Sequence, residues 1–320
     1  MRDSNFRSRD VVAKAARMYF LDGRSQDDIA RVLGTSRSNV SRMLTTARDL
    51  GIVEIRIQDE HGRDTDLEDA LTERFGLIHA RVAAFRPRRD ALVATSALAA
   101  DWLEHTLRDG QTLALSSGTT MQAVAEAVAV DEPCRAEIVP LVGGLPPGGS
   151  AMAGHELVHA LAARLGATYR CLNGPALLHS DAACEALLAE PSIASIVDRA
   201  RAADLALVGI GAFGSGSATT VLNGLGLTAA QRREFLAQGP VGSTCCRFYD
   251  ASGRPIRGVV HDRVLAVDLD DLRRIPTVVG VATGAEKAAA VIAALRGGLV
   301  DGLIADASLA HSILTAVGVL

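Results

Sequence analysis

From about residue 77 to the C-terminus, short apolar runs alternate with stretches of helical periodicity. The runs at 78–85, 112–116, 137–142, 167–171, 204–210, 241–248, 277–282 and 302–305 read as strands. Helical stretches fall between most of them, notably at 89–108, 119–129, 152–165, 284–296 and 307–317. Parallel neighbours need a long crossover, and helices supply it. This alternation therefore dictates a mainly parallel sheet covered on both faces. "RFYDASGRPI" at 247–256 reads as a hairpin around Ser252-Gly253, a local antiparallel interruption. No internal repeat or low-complexity segment breaks the pattern.

The N-terminal residues follow another rule. A chain of 320 residues is long for one core, which favours two domains. Residues 8–22 form a first helix on Val11, Val12, Ala15, Ala16, Met18 and Tyr19, ended by Gly23. Ser25 caps a second helix with Asp28 in its first turn, and Ile29, Ala30 and Leu33 face inward. Gly34-Thr35 makes a turn, and Ser36 caps a third helix that runs to about Leu50 on Val40, Leu44 and Ala47. "IVEIRIQ" then alternates as a strand does. The expected organisation is an α/β chain with a winged helix-turn-helix over residues 1–58. A linker and the amphipathic helix "LEDALTERF" occupy 59–76, and a larger, mainly parallel α/β domain covers 77–320.

Ala30, Gly34 and Val40 carry the helix-turn-helix reading. Ala30 lets two helices cross closely, Gly34 supplies the backbone the turn requires, and Val40 plugs the junction. The third helix then presents Ser36, Arg37, Ser38, Asn39, Ser41 and Arg42, with Gln26 at the start of the second helix joining them as DNA contacts. Arginine can read guanine, asparagine adenine, and serine a phosphate or either base. Charge agrees. Residues 1–50 carry ten basic against six acidic side chains, although the whole chain has a net charge of −4. A basic head on an acidic body suits a double-stranded operator as partner.

Five cysteines (Cys134, Cys171, Cys184, Cys245 and Cys246) show no CxxC spacing, so reduced thiols in a cytoplasm are expected, and neither a metal nor a cofactor. No apolar run is long enough to span a bilayer, so no membrane partner is expected.

"LALSSGTTMQAVAEAV" at 113–128 carries a different chemistry. An apolar strand ends in Ser116-Ser117-Gly118-Thr119-Thr120 and passes straight into a helix, placing amides and hydroxyls at a positive dipole end. "VGGLPPGGS" at 142–150, with Gly143 and Gly144, and "GIGAFGSGS" at 209–217, with Gly211, also follow strands. In "VATGAEKAAAVIAAL", Gly284 opens a helix and Lys287 sits in its first turn, where the dipole disfavours a cation unless an anion is bound. Only Lys14 and Lys287 among the 33 basic residues are lysine. His155 and Glu156 lie near a Gly-rich loop and are available for acid/base work or for binding. No GxSxG, HExxH, Walker or full GxGxxG pattern is present, so an effector pocket is expected rather than an active site, and no catalytic residue is assigned.

These segments together resemble the SorC family of bacterial sugar-responsive transcriptional regulators over essentially the whole chain. The resemblance rests on "SQDDIARVLGTSRSNVSRMLTTARDLGIVEIRI", "SSGTTMQAVAEAV", "LVGGL", "LVGIGAFGS", "CRFYDASGRPI" and "GVATGAEKAAAVIAALRGGLVDGLIADASLA". It implies a winged helix-turn-helix on a sugar-binding domain like the sugar-phosphate isomerase and deaminase fold, without turnover. It also implies self-association as a dimer or tetramer and a small-molecule effector that is commonly a phosphorylated sugar. By position, Gly118, Thr119, Thr120 and Lys287 resemble the family's phosphate set. His155 stands where the family often has asparagine, and Ser243 where many members carry an acidic residue. The alternative is a sugar-phosphate isomerase or deaminase with an appended DNA-binding head.

Overall fold

The computed structural model describes residues 9–53, 62–86, 90–130, 132–145 and 154–320. Its contacts divide the chain into two units, Met1–Ile57 and Gln58–Leu320.

In the first unit, α1 (Arg9–Phe20), α2 (Gln26–Leu33) and α3 (Arg37–Asp49) enclose a small core. Val12, Ala15, Ala16, Met18, Ile29, Ala30, Val40, Met43, Leu44 and Ala47 are all buried there. The Ser25 hydroxyl accepts the Asp28 amide at 3.2 Å and opens α2. Gly34 closes it in the left-handed region at φ 63°, where a side chain would be strained. Ser36 then accepts the Asn39 amide at 3.2 Å and starts α3. Ile52 and Val53 fold back, both amides donating to the Ala47 carbonyl. The expected strand over "IVEIRIQ", and with it the wing, continues into residues outside those described.

The second unit opens with α4 (Thr65–Phe75), β1 (His79–Ala83), α5 (Ala91–Thr106), β2 (Thr112–Leu115) and α6 (Thr119–Ala127). Then come β3 (Glu137–Pro140), α7 (Gly154–Leu165), β4 (Thr168–Tyr169), α8 (Asp181–Ala189), α9 (Pro191–Arg201) and β5 (Leu205–Gly209). A small excursion follows: β6 (Gly211–Ala212), α10 (Gly216–Gly224), α11 (Ala229–Ala237), β7 (Gly242–Thr244), β8 (Arg247–Tyr249), α12 (Val259–Asp262) and α13 (Leu269–Leu272). The chain closes with β9 (Val278–Ala282), α14 (Ala288–Arg296), β10 (Gly302–Asp306) and α15 (Ala307–Ala316).

Seven strands form one sheet in the order β1-β10-β9-β5-β2-β3-β4, and every pairing in it is parallel. Side-chain alternation builds a core on each face. Leu113, Leu115, Ile138, Leu205, Leu207, Val279, Val281 and Ile304 pack with α5, α6 and α7. Ala114, Val139, Ala206, Val208, Val278, Leu303 and Ala305 pack with α4, α9, α14 and α15. At the β1 edge, residue Arg63 bridges Ala83, and the buried Glu68 carboxylate accepts the Val82 amide at 2.8 Å. That edge is covered. No helix of the described residues is long and apolar enough to cross a membrane.

Four expectations change. The run 241–248 is not one strand of the sheet but two strands, β7 and β8, paired antiparallel with β6 in a separate small sheet. Its turn is Cys245-Cys246, with φ values of 51° and 58°, a conformation that side-chain-bearing residues seldom adopt. Nothing in the local sequence announces it. The run 167–171 shortens to Thr168–Tyr169, and the stretch 284–296 begins as a 3-10 turn over Ala285–Lys287 before α14. Helices α8 and α9 fill a region where no helix was singled out. The hairpin around Ser252-Gly253 is present, with Tyr249 bridging Pro255 and the Gly253 amide donating to the Asp250 carbonyl.

Candidate functional site

The order of strands locates a cleft before any side chain is considered: β2, β3 and β4 step away to one side, while β5, β9 and β10 step to the other. The reversal lies between β2 and β5. In open α/β sheets the loops at carboxyl ends diverge at such a point and leave a crevice. The loops after β2, β5 and β9 all begin there.

The loop after β2 is tied to that after β5 by Ser116. Its buried hydroxyl accepts the Gly209 amide at 2.9 Å across 93 residues of chain. Ser117 and Gly118 follow, and Gly118 sits at φ 122°, ψ 170° with open space where a Cβ would stand. No side chain caps α6, so its first-turn amides are unsatisfied by the helix and sit beside the hydroxyl-bearing Thr119 and Thr120. After β5, Gly211 enters β6 and pairs directly with Ser243 of β7. Ser243 is buried. The hairpin that carries it is pinned by the buried Arg247, which donates to the carbonyls of His261 and, at 2.9 Å, Ala266.

After β9, Gly284 turns at φ 99° into Ala285–Lys287, next to β6. Lys287 is half-buried, and burial pushes its ammonium below the usual lysine value, opposed by the Glu286 and Asp306 carboxylates. The thiols of Cys245 and Cys246 are pushed up to about 12 by burial, which leaves them poor nucleophiles. Ser117, Gly118, Thr119, Thr120, Gly211, Ser243, Gly284 and Lys287 therefore share one end of the sheet. Amides, hydroxyls and an ammonium are the kinds of group that can hold an anion, and among the described residues no cluster suits a metal ion.

Gly143 and Gly144 follow β3, but their amides donate to the carbonyls of Leu265 and Gly174. A Cβ on Gly143 would meet the Gly174 carbonyl at 2.7 Å, so this glycine serves a close backbone approach and offers no N–H to a ligand. His155 and Glu156 are exposed in the first turn of α7, beyond a loop that lies outside the described residues. A separate cavity of about 110 Å³ flanks the cleft at the ends of β1 and β10, lined by Ala83, Phe85, Arg86, Ala94, Asp306 and Ser308 among others.

In the first unit, α3 buries Val40, Met43, Leu44 and Ala47 and leaves Arg37, Ser38, Ser41 and Arg42 exposed. Asn39 is half-buried and its amide donates to the Thr35 hydroxyl at 3.0 Å, while Gln26 is half-buried at the start of α2. The Ser36 hydroxyl serves the cap and also meets that of Ser38 at 2.9 Å. Thr45, which sequence reasoning passed over, lies exposed one turn beyond Ser41. Its position four residues on was the available signal. In the second unit the sequence placed Ser116 in the strand-end loop but not its tie to Gly209, and it passed over Asp306, whose local signal is an aspartate between a strand and a helix.

Residues 59–315 match the family described as "Putative sugar-binding domain". The transcriptional regulator LsrR of Klebsiella pneumoniae is 32% identical over 309 residues, covering 95% of this chain and 93% of the relative. The deoxyribonucleoside regulator of Bacillus subtilis is 29% identical, covering 94% and 96%. The crystal structure of the full-length sorbitol operon regulator SorC from Klebsiella pneumoniae superposes with a TM-score of 0.73 at 27% identity, covering 95% of this chain and 98% of that one. The two units thus define a transcriptional regulator with a sugar-binding domain. The chain belongs to the SorC family of sugar-responsive transcriptional regulators.

Proposed function

We propose that this regulator binds operator DNA through its first unit, with an affinity set by a phosphorylated sugar held at the carboxyl ends of β9, β5 and β2. One observation carries the reading. At the strand-order reversal, the uncapped N-terminus of α6, the Thr119 and Thr120 hydroxyls and the half-buried Lys287 occupy the same sheet end. Each favours a dianion more than a neutral hydroxyl group. The phosphate is assigned to Gly118–Thr120 and Lys287, and the sugar to the side of Gly211 and Ser243, with His155 and Glu156 on α7 as further contacts. Relatives named for sorbitol and for deoxyribonucleosides support a carbohydrate effector.

In the first unit, α2, the Gly34 turn and α3 form the helix-turn-helix, and α3 lies in the major groove with Arg37, Ser38, Ser41, Arg42 and Thr45 outward. Ligand and DNA are coupled by linkage through a dimer or tetramer. A ligand that prefers one arrangement shifts DNA affinity, and DNA shifts ligand affinity equally. No turnover is required.

Thermal unfolding of the wild type and Lys287→Ala with sugar phosphates, the matching free sugars and inorganic phosphate tests this. At ~100 times its dissociation constant, a ligand of the native state adds roughly 2.7 kcal/mol. The expected result is a shift with one phosphosugar that shrinks in Lys287→Ala and accompanies a change in promoter-fragment affinity. A shift with free sugars that ignores Lys287 would refute the phosphate end. Turnover of a sugar phosphate by the purified chain would refute the purely regulatory reading.

A further inference from the structure

Asp306 is the last residue of β10 and only 5% exposed. Its two carboxylate oxygens do different things. Oδ2 accepts the Ser308 amide at 3.1 Å, the Leu309 amide at 3.4 Å and the Ser308 hydroxyl, which caps α15. Oδ1 reaches across to the neighbouring strand's loop and accepts the Gly284 amide at 2.7 Å. Helix capping alone would be served by serine, threonine or asparagine. A second acceptor directed at another loop needs a carboxylate.

We propose that Asp306 is the positioning residue of the phosphate end: it clamps the loop after β9 through Gly284 and supplies the buried counter-charge beside Lys287. This rests on the phosphate reading above. Gly284 precedes Lys287 by three residues, and the Lys287 amide donates back to the Gly284 carbonyl at 3.1 Å, so fixing Gly284 fixes the turn that presents the ammonium. Burial draws Lys287 toward its neutral form, and the charges of Glu286 and of Asp306 oppose that. The other charged or titratable groups near this turn and Asp306 are Glu286 on the turn itself, His311 on α15, which packs against it, and Arg86 after β1, which lines a cavity with Asp306. β6 and the start of α14 contribute none.

Asp306→Asn is the informative change. Asparagine keeps the cap but has one acceptor oxygen, so Gly284 is released and the charge is lost. Binding of inorganic phosphate is measured by calorimetric titration from about pH 7.5 to about pH 10, above the ordinary imidazole range. The wild type should lose affinity as Lys287 deprotonates. Asp306→Asn should bind roughly tenfold more weakly, with the alkaline loss beginning at lower pH. Asp306→Ser, which also caps, should behave likewise and replaces it should the asparagine variant not fold. Adding Lys287→Arg, which stays charged, should abolish the alkaline loss while the weakening from the freed loop remains.

A lower unfolding temperature with an unmoved alkaline limb would reduce Asp306 to a helix cap and overturn the proposal. So would wild-type phosphate binding in Asp306→Asn when Lys287→Ala binds poorly. Were Lys287→Ala to bind phosphate as well as the wild type, the phosphate reading itself would fall first.

Discussion

Gly118→Ala should destabilise the second unit and blunt its response to ligand, for one reason. At φ 122° and ψ 170°, Gly118 occupies a backbone region that is nearly exclusive to glycine. An added Cβ would meet no heavy atom within 4 Å, so no clash with a neighbour contributes. What remains is local backbone strain of about 1–3 kcal/mol. For a unit of this size each kcal/mol lowers the midpoint by about 2–4 °C, so scanning calorimetry should record a fall of roughly 2–12 °C. The loop can instead relax, turning the first amides of α6 away from the cleft. Either outcome removes the preorganised amides, and the stabilisation by an effector should shrink in parallel. Thr119→Val separates the two effects, because this exposed residue loses a hydroxyl without backbone strain. Its stability should stay within about 0.5 kcal/mol of wild type while ligand stabilisation falls. An alanine variant with an unchanged midpoint would refute the strain argument. One that also kept its full ligand response would remove the α6 amides from the site.

Two further outcomes test other parts of the molecule. Arg42 is exposed and makes no ion pair among the described residues, so Arg42→Ala should weaken operator binding by about 1–3 kcal/mol at matched salt. Arg31→Ala, whose guanidinium already pairs with Asp28, should cost less, and an equal loss would move the DNA contact onto α2. Burial pushes the Asp268 carboxyl up, but hydrogen bonds from His261, the Asp270 amide and Arg257 outweigh it and hold the carboxyl far below the usual range. A depressed folded value stabilises above the unfolded carboxylate value of about 4, and that stability is lost as pH falls below it. Urea unfolding should therefore show a gap between wild type and Asp268→Asn at neutral pH that closes in acid. A gap independent of pH would mean that packing, not charge, accounts for it.

Much of the fold was legible because its signals are local. Ser25 and Ser36 announce helix starts through contacts three residues away, and each buried strand keeps an apolar run whatever its partner. The loop of the proposed phosphate end was legible for the same reason, since a strand ending in Ser-Ser-Gly-Thr-Thr before a helix is a local pattern. The Cys245-Cys246 turn was not, because neither residue favours positive φ. The pairing of Ser243 with Gly211 and of Tyr249 with Gly242 closes the hairpin around them. The commitment of the Gly143 and Gly144 amides was equally hidden, since their acceptors are 122 and 30 residues away at Leu265 and Gly174.

By itself the sequence determined the two-part organisation, the parallel α/β class, the capped helices of the first unit and the strand-to-helix loop at Ser116–Thr120. These follow from composition, periodicity and hydrogen bonds spanning a few residues. Only the tertiary structure decided that the reversal of strand order falls between β2 and β5, that Ser116 ties their loops together, and that Asp306 holds the loop carrying Lys287. Those depend on which distant strands become neighbours, and that choice is made by the packing of both faces of the sheet at once.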